Sequence, residues 1–232
     1  MAEIKTILQK CYDEHRNTLT EYESKLVLKE IGIPITRQEL VDANEAAVLT
    51  AAKKIGYPVV AKLMVEDISH KSDVGAVKLN IKNETDLKAA VKELMAIKTQ
   101  SKAPKISVQE MAKAPITEII IGMTTDAQFG PALMFGIGGI LVELMKDVSF
   151  RIAPITKFDA EEMIHDIKGF PLLDGFRGKK KANIQKIVDT LMAISKFVLD
   201  YPEVDQMDLN PVFTYEDGVL AVDARIILKT HA

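Results

Sequence analysis

The 232 residues are 47% hydrophobic and 27% charged with a net charge of −3, an ordinary globular balance that excludes a disordered chain. The slightly acidic total argues against a general nucleic-acid or membrane-surface binder. No apolar run reaches the roughly 18–20 residues of a membrane span, the N-terminus lacks the apolar core of a secretion signal, and the single Cys11 excludes an internal disulfide. A soluble, cytoplasmic protein with one two-lobed domain or two small domains is expected.

In chain order, Ile4, Ile7, Leu8 and Cys11 recur at helical spacing. A second helix, capped by Thr18 or Thr20, runs through Tyr22, Leu26, Val27 and Glu30 to a stop at Gly32-Ile-Pro34. Residues 43–54 read as a helix broken by Ile55-Gly-Tyr-Pro58, and Pro58-Val-Val-Ala-Lys62-Leu-Met-Val65 reads as a strand. A polar loop follows, Asp67-Ile-Ser-His-Lys-Ser-Asp-Val-Gly75, then a strand over 76–81 with Val77, Leu79 and Ile81 on one face. Asn83 caps a helix with Leu87, Val91 and Leu94 along one stripe. This alternating lobe ends in a strand at 106–111.

Beyond it the strands are closely spaced. Residues 117–123 and 131–135 flank the turn Asp126-Ala-Gln-Phe-Gly130, and 148–153 follow. Asp159-Ala-Glu-Glu162 reads as a capping box opening a helix to Lys168, and residues 182–200 form the longest helix. A closing hairpin pairs 204–214 with 219–225 across Glu216-Asp-Gly218.

Three constellations carry chemistry. Lys62 interrupts an apolar strand, so its ammonium either reaches water from an edge strand or meets an anion such as phosphate. His70 has Ser69, Lys71 and Ser72 beside it and Gly75 beyond, a setting that suits an imidazole carrying a phosphoryl group. In the hairpin, antiparallel pairing brings Asn210 opposite Asp223, an amide oxygen and a carboxylate of the hard-oxygen type that Mg2+ uses. The same register sets Asp208 against Arg225, where a cross-strand ion pair is as good a reading as catalysis. Glu118 is the one acid in a buried-looking strand, a plausible partner for a ribose hydroxyl. The glycine-dense Phe135-Gly-Ile-Gly-Gly-Ile140 is neither a P-loop nor a dinucleotide fingerprint. The basic run Gly175-Phe-Arg-Gly-Lys-Lys-Lys181 reads as a solvated loop.

Taken in order, Gly56-Tyr-Pro-Val-Val-Ala-Lys62, Ser69-His-Lys-Ser-Asp-Val-Gly75, Asp126-Ala-Gln-Phe-Gly-Pro131, Phe135-Gly-Ile-Gly-Gly139, Lys146-Asp-Val-Ser-Phe-Arg-Ile-Ala-Pro154, Asp208-Leu-Asn-Pro211 and Ala221-Val-Asp-Ala-Arg225 form a specific set. With them the chain resembles the β subunits of ADP-forming acetate–CoA ligases (acetyl-CoA synthetases) over nearly its whole length. The resemblance implies an α/β ATP-grasp fold of two lobes, residues 1–108 and 109–232, with ATP or ADP between them. It implies that Lys62 holds phosphate oxygens, that Gln109, Glu110 and Met111 form an inter-lobe hinge facing adenine largely through backbone groups, and that Glu118 takes the ribose. Asn210 and Asp223 match the family's Mg2+ ligands, and Asp208 falls near the travelling phosphohistidine, where similar succinyl-CoA synthetases place a longer Glu. His70 matches a phosphohistidine that takes its phosphoryl group from a histidine of an α subunit and passes it to ADP, while Arg151 and Arg177 match further anion contacts. That partner would carry the CoA-binding and acyl-CoA chemistry in an α2β2 assembly.

Two other readings compete. A stand-alone ATP-grasp carboxylate–amine ligase would need no phosphohistidine, and a non-catalytic nucleotide-binding subunit would bind ATP without turnover.

Overall fold

The computed structural model describes residues 2–65, 74–139 and 147–230. They divide into two compact units, one of residues 36–113 and the other of residues 1–35 together with 114–232. The expected boundary at 108/109 therefore falls a few residues later, and the N-terminal helices belong with the C-terminal segment. The reason is a shared core: Ile4, Leu8, Leu19, Val27 and Leu28 are buried in one cluster with Ile121, Leu133, Leu191 and Ile226. Backbone bonds reinforce it, with Leu19 N–H donating to Ile226 O at 3.0 Å and Leu228 N–H to Asn17 O at 2.6 Å.

The continuous unit holds strands β1 (Gln38–Asp42), β2 (Val59–Met64), β3 (Val77–Ile81) and β4 (Lys105–Glu110) with helices α3 (Glu45–Ile55) and α4 (Glu84–Met95). The sheet order is β1-β4-β2-β3 and its pairs are antiparallel. Asn44 and Asn83 cap the two helices through Oδ1, accepting from Ala47 N and Asp86 N at 2.9 Å each. Val48, Ala52 and Ile55 of α3 and Leu87, Val91 and Leu94 of α4 pack with Val59, Ala61, Leu63, Ile106 and Val108. β1 was not anticipated, because Gln38–Asp42 is short and polar; it forms by pairing with β4. In β3 the expected alternation fails: an extra residue sits opposite β2, Asn80 takes φ +56°, and Leu79 is 58% exposed while Ile81 is buried.

The other unit contains α1 (Ala2–Asp13), α2 (Glu21–Glu30), β5 (Glu118–Asp126), β6 (Gly130–Ile137) and β7 (Val148–Ile152). It continues with α5 (Lys157–His165), α6 (Phe170–Leu173), α7 (Ile184–Asp200), β8 (Val204–Thr214), β9 (Val219–Ala221) and β10 (Arg225–Leu228). Its antiparallel sheet runs β10-β8-β5-β6-β7, with β9 paired to the far end of β8. Ile121, Met123, Leu133, Phe135, Met207 and Leu209 share a core with Met163 and Ile164 of α5 and Ile187, Leu191 and Ile194 of α7. The helix expected to open with a box at Asp159 starts earlier: Thr156 is its cap and Asp159 is the reciprocal third residue. The closing hairpin is also interrupted, with residues 222–224 separating β9 from β10. No helix among the described residues is long and apolar enough to cross a membrane.

Thr20 closes a capping box with Glu23, and Arg16 grips the same carboxylate with both guanidinium nitrogens at 3.1 Å. Burial alone would raise the Glu23 pKa, but the Arg16 hydrogen bonds and the Thr20 backbone N–H together outweigh it and hold the carboxyl below its ordinary value. A depressed carboxylate pKa stabilises the fold above the unfolded value of about 4.3, and that stability is lost as pH falls through the folded pKa. Glu23→Gln is therefore expected to cost about 1–3 kcal/mol near neutral pH and to flatten the acid limb of the stability curve, as read by urea unfolding over an acid pH series.

Candidate functional site

Because a strand alternates its side chains between two faces, each helix-packed sheet leaves the opposite face for polar chemistry. In the continuous unit Lys62, Ser107 and Gln109 share that face, since Lys62 pairs with Ser107 and Val60 with Gln109. β2 is an interior strand, which excludes the edge reading of Lys62, and the residue is 4% exposed. Ser107 was missed: an isolated serine in an apolar strand gives no signal. Gln109 Nε2 donates to Ser107 Oγ at 3.0 Å and Thr36 Oγ1 donates to Gln109 Oε1 at 3.4 Å, so the amide is fixed in orientation. An ammonium buried in this polar row is costly unless an acceptor or an anion meets it.

At the end of β4 the backbone is less open than expected. Glu110 N–H donates to Arg37 O at 3.0 Å and Met111 N–H to Pro58 O at 3.1 Å. The Glu110 carboxylate accepts from Arg37 Nε at 2.7 Å and Arg37 N at 3.0 Å. A base docking on Gln109–Met111 would have to be read by the groups these bonds leave over.

In the second sheet the open face carries Glu118, Asp208 and Arg225. Asp208 pairs with Arg225, as the hairpin register predicts, and on its other side with Gly122 of β5. The ladders Arg225↔Asp208 and Ala221↔Val212 keep one register on both sides of the 222–224 break, which sets Asn210 opposite Asp223. Val222 N–H donates to Pro211 O at 3.1 Å across the gap. Asn210 is exposed and Asp223 half-buried, and Asp223 Oδ1 accepts the Ala224 N–H at 2.8 Å. Asp208 keeps an exposed surface, yet protein packed around its carboxyl raises its pKa, the Asp223 charge raises it further, and Arg225 opposes both. The pair of acids thus forms a region of negative potential that a cation would relieve.

The glycine-dense turn packs against Glu118. Gly138 N–H donates to Glu118 O at 2.7 Å, and a Cβ at Gly138 would lie 3.1–3.2 Å from the Glu118 backbone and Cβ and from Ile119 C. Gly138 is therefore clamped on the start of β5. The Lys179–Lys181 run is solvated, with Lys180 bonded to Glu216 and Lys181 to Asp174 at 2.8 Å. Arg151 bonds Asp166 at 2.7 Å, and the Arg177 guanidinium lies 5.3 Å from the Phe176 ring centroid. His70 lies outside the described residues. Among the described residues no group of three or more His, Cys, Asp or Glu could hold a metal, so a cation at Asn210 and Asp223 would need further oxygens from water or phosphate.

Two antiparallel sheets, each with one helix-packed and one polar face, and a lysine in the interior strand of the smaller one, define an ATP-grasp domain. The family model for that domain matches residues 10–228, and the chain belongs to the ATP-grasp family. Within it, the chain is similar to the β subunit of acetate–CoA ligase [ADP-forming] I of Pyrococcus furiosus, 45% identical over 231 residues, covering 98% of this chain and 99% of that one. It is also similar to acetate–CoA ligase [ADP-forming] I of Archaeoglobus fulgidus, 49% identical over 208 residues, covering 87% of this chain and 30% of that protein. A solved structure of acetyl-coenzyme A synthetase 1 of Ca. Korarchaeum cryptofilum superposes with a TM-score of 0.87 at 41% identity, covering 97% of this chain and 100% of that one. It is described as a complex with coenzyme A and Mg-AMPPCP, its phosphohistidine segment pointing towards the nucleotide-binding site.

Gly138→Ala is expected to push the turn off β5 and lower stability by about 1–3 kcal/mol, because the Cβ meets backbone that cannot rotate away. Thermal melting of the variant against the parent checks this.

Proposed function

We propose that this chain is the nucleotide-handling β subunit of an ADP-forming acetate–CoA ligase, which converts acyl-CoA, ADP and phosphate to carboxylate, ATP and CoA. The observation that carries the reading is end-to-end identity of 45% to a β subunit of that enzyme. The match to 30% of the Archaeoglobus protein supports a separate partner that supplies the remaining length, with the CoA-binding and acyl chemistry; the α2β2 assembly is part of the proposal.

In this reading His70 receives the phosphoryl group from a phosphohistidine of the partner. The His70–phosphorus bond then breaks as a terminal oxygen of ADP bonds to phosphorus, giving ATP and a neutral imidazole. The Lys62 ammonium binds the phosphate oxygens and is held in place by its strand, so it needs little reorganisation as charge moves. Glu118 accepts from the ribose hydroxyls, and Gln109, Glu110 and Met111 border the base. Asp208 accepts an imidazole N–H at the nucleotide site, orienting the ring and leaving its other nitrogen for phosphorus. The donor chemistry at Asn210 and Asp223, two hard oxygens beside Asp208, whose pKa burial and then the Asp223 charge raise, fits Mg2+. Bound there, Mg2+ supplies charge neutralisation to the nucleotide phosphates.

Labelled ATP added to the chain with its partner should leave an acid-labile, base-stable phosphate on His70, and His70→Ala should abolish phosphoryl exchange between ATP and ADP. Full exchange by His70→Ala would overturn the relay and favour a carboxylate–amine ligase. Lys62→Met keeps the approximate volume of the side chain, and thermal melting against the parent checks its folding. The variant should lower kcat/KM for ATP formation by about 10²–10³-fold, as measured by initial rates.

A further inference from the structure

The polar side of α2 is buried, which its sequence does not announce. The Lys25 and Glu21 side chains are 0% and 1% exposed and lie 3.8 Å apart as an i,i+4 pair. Lys25 Nζ also donates to Val222 O at 3.1 Å, a carbonyl 197 residues away in sequence and adjacent to Asp223. Removing two charges from water costs several kcal/mol, and well-packed apolar residues often replace such a pair without loss. Stability alone is therefore a poor account of it; a directed contact is a better one.

Residues 222–224 lie between β9 and β10 and belong to neither strand, so the ladder holds them less fully than the strands on either side. Their polar groups are fixed piecemeal: Val222 N–H by Pro211 O at 3.1 Å, Val222 O by Lys25, and Ala224 N–H by Asp223 Oδ1 at 2.8 Å. The exit of α2 adds a second tie, Ala221 N–H to Pro34 O at 2.9 Å. Helix α2 thus holds the break through Lys25, the segment after the helix holds the end of β9, and the helix start is set by the Thr20 capping box.

We infer that Glu21 and Lys25 are positioning residues for Asp223: the buried ammonium, oriented by its carboxylate partner, pins the Val222 carbonyl and so fixes where the next residue presents its carboxylate to a divalent cation. This rests on the reading of Asn210 and Asp223 as Mg2+ donors. Outer partners of metal ligands commonly carry 10–100-fold of affinity, so the effect is measurable without catalysis.

The test is calorimetric titration of Mg2+ into the full chain at saturating ADP, with thermal melting as the control for folding. Asp223→Asn should weaken Mg2+ binding by at least about tenfold. The double variant Glu21→Leu/Lys25→Met removes the pair without leaving a lone buried charge; it should melt no lower than the parent yet bind Mg2+ about tenfold more weakly. If the apolar pair does not fold, Glu21→Gln/Lys25→Gln carries the same expectation. A folded double variant with parental Mg2+ affinity, beside a weakened Asp223→Asn, overturns the positioning role alone. Parental affinity in Asp223→Asn overturns the metal reading on which it rests.

Discussion

A strand shows its side chains alternately to two faces, and in both sheets of this protein helices occupy one of them. α3 and α4 take Val59, Ala61 and Leu63 of the smaller sheet, while α5 and α7 take Leu133, Phe135 and Leu209 of the larger. Every polar residue set in these strands at the alternate positions is thereby delivered to the other face. Lys62, Ser107 and Gln109 are collected on one sheet, and Glu118, Asp208 and Arg225 on the other, by nothing more than parity and register. A slip of a single residue in β2 would send Lys62 into the apolar core and Ala61 or Leu63 to the polar row.

Much of this was legible because period-two patterns survive translation into structure with little dependence on context. The parity of Lys62, the Asp208–Arg225 register and the opposition of Asn210 to Asp223 follow from counting alone. What failed to be legible depends on partners distant in sequence. β1 exists only because β4 offers it a ladder, and the allegiance of α1 and α2 is decided by Ile226 and Leu228 near the far end of the chain. The bulge at Asn80 exposes Leu79 without any glycine or proline to warn of it.

Helix α2 is the clearest case of a misleading surface. Glu-Tyr-Glu-Ser-Lys reads as the solvated side of a helix, yet Glu21, Glu23, Ser24 and Lys25 are all buried. Two separate devices make that tolerable. Arg16 neutralises Glu23 near the helix start, and Lys25 meets Glu21 and a backbone carbonyl deeper in. A pattern search that equates charge with solvent turns this helix around. The distant acceptor at Val222, together with Arg16, shows which side of the helix faces inward.

The chain path also imposes an order on maturation. Residues 36–113 are an uninterrupted stretch with a core of their own, whereas the larger body needs residues 1–35 and the segment from 114 onward together. On a ribosome the inner body can therefore condense while its flanks are still unmatched. α1 and α2 must wait, apolar stripes uncovered, until β10 has emerged to receive them. The closure of so long a loop is entropically slow relative to local contacts, which places the docking of those first two helices among the last steps of folding.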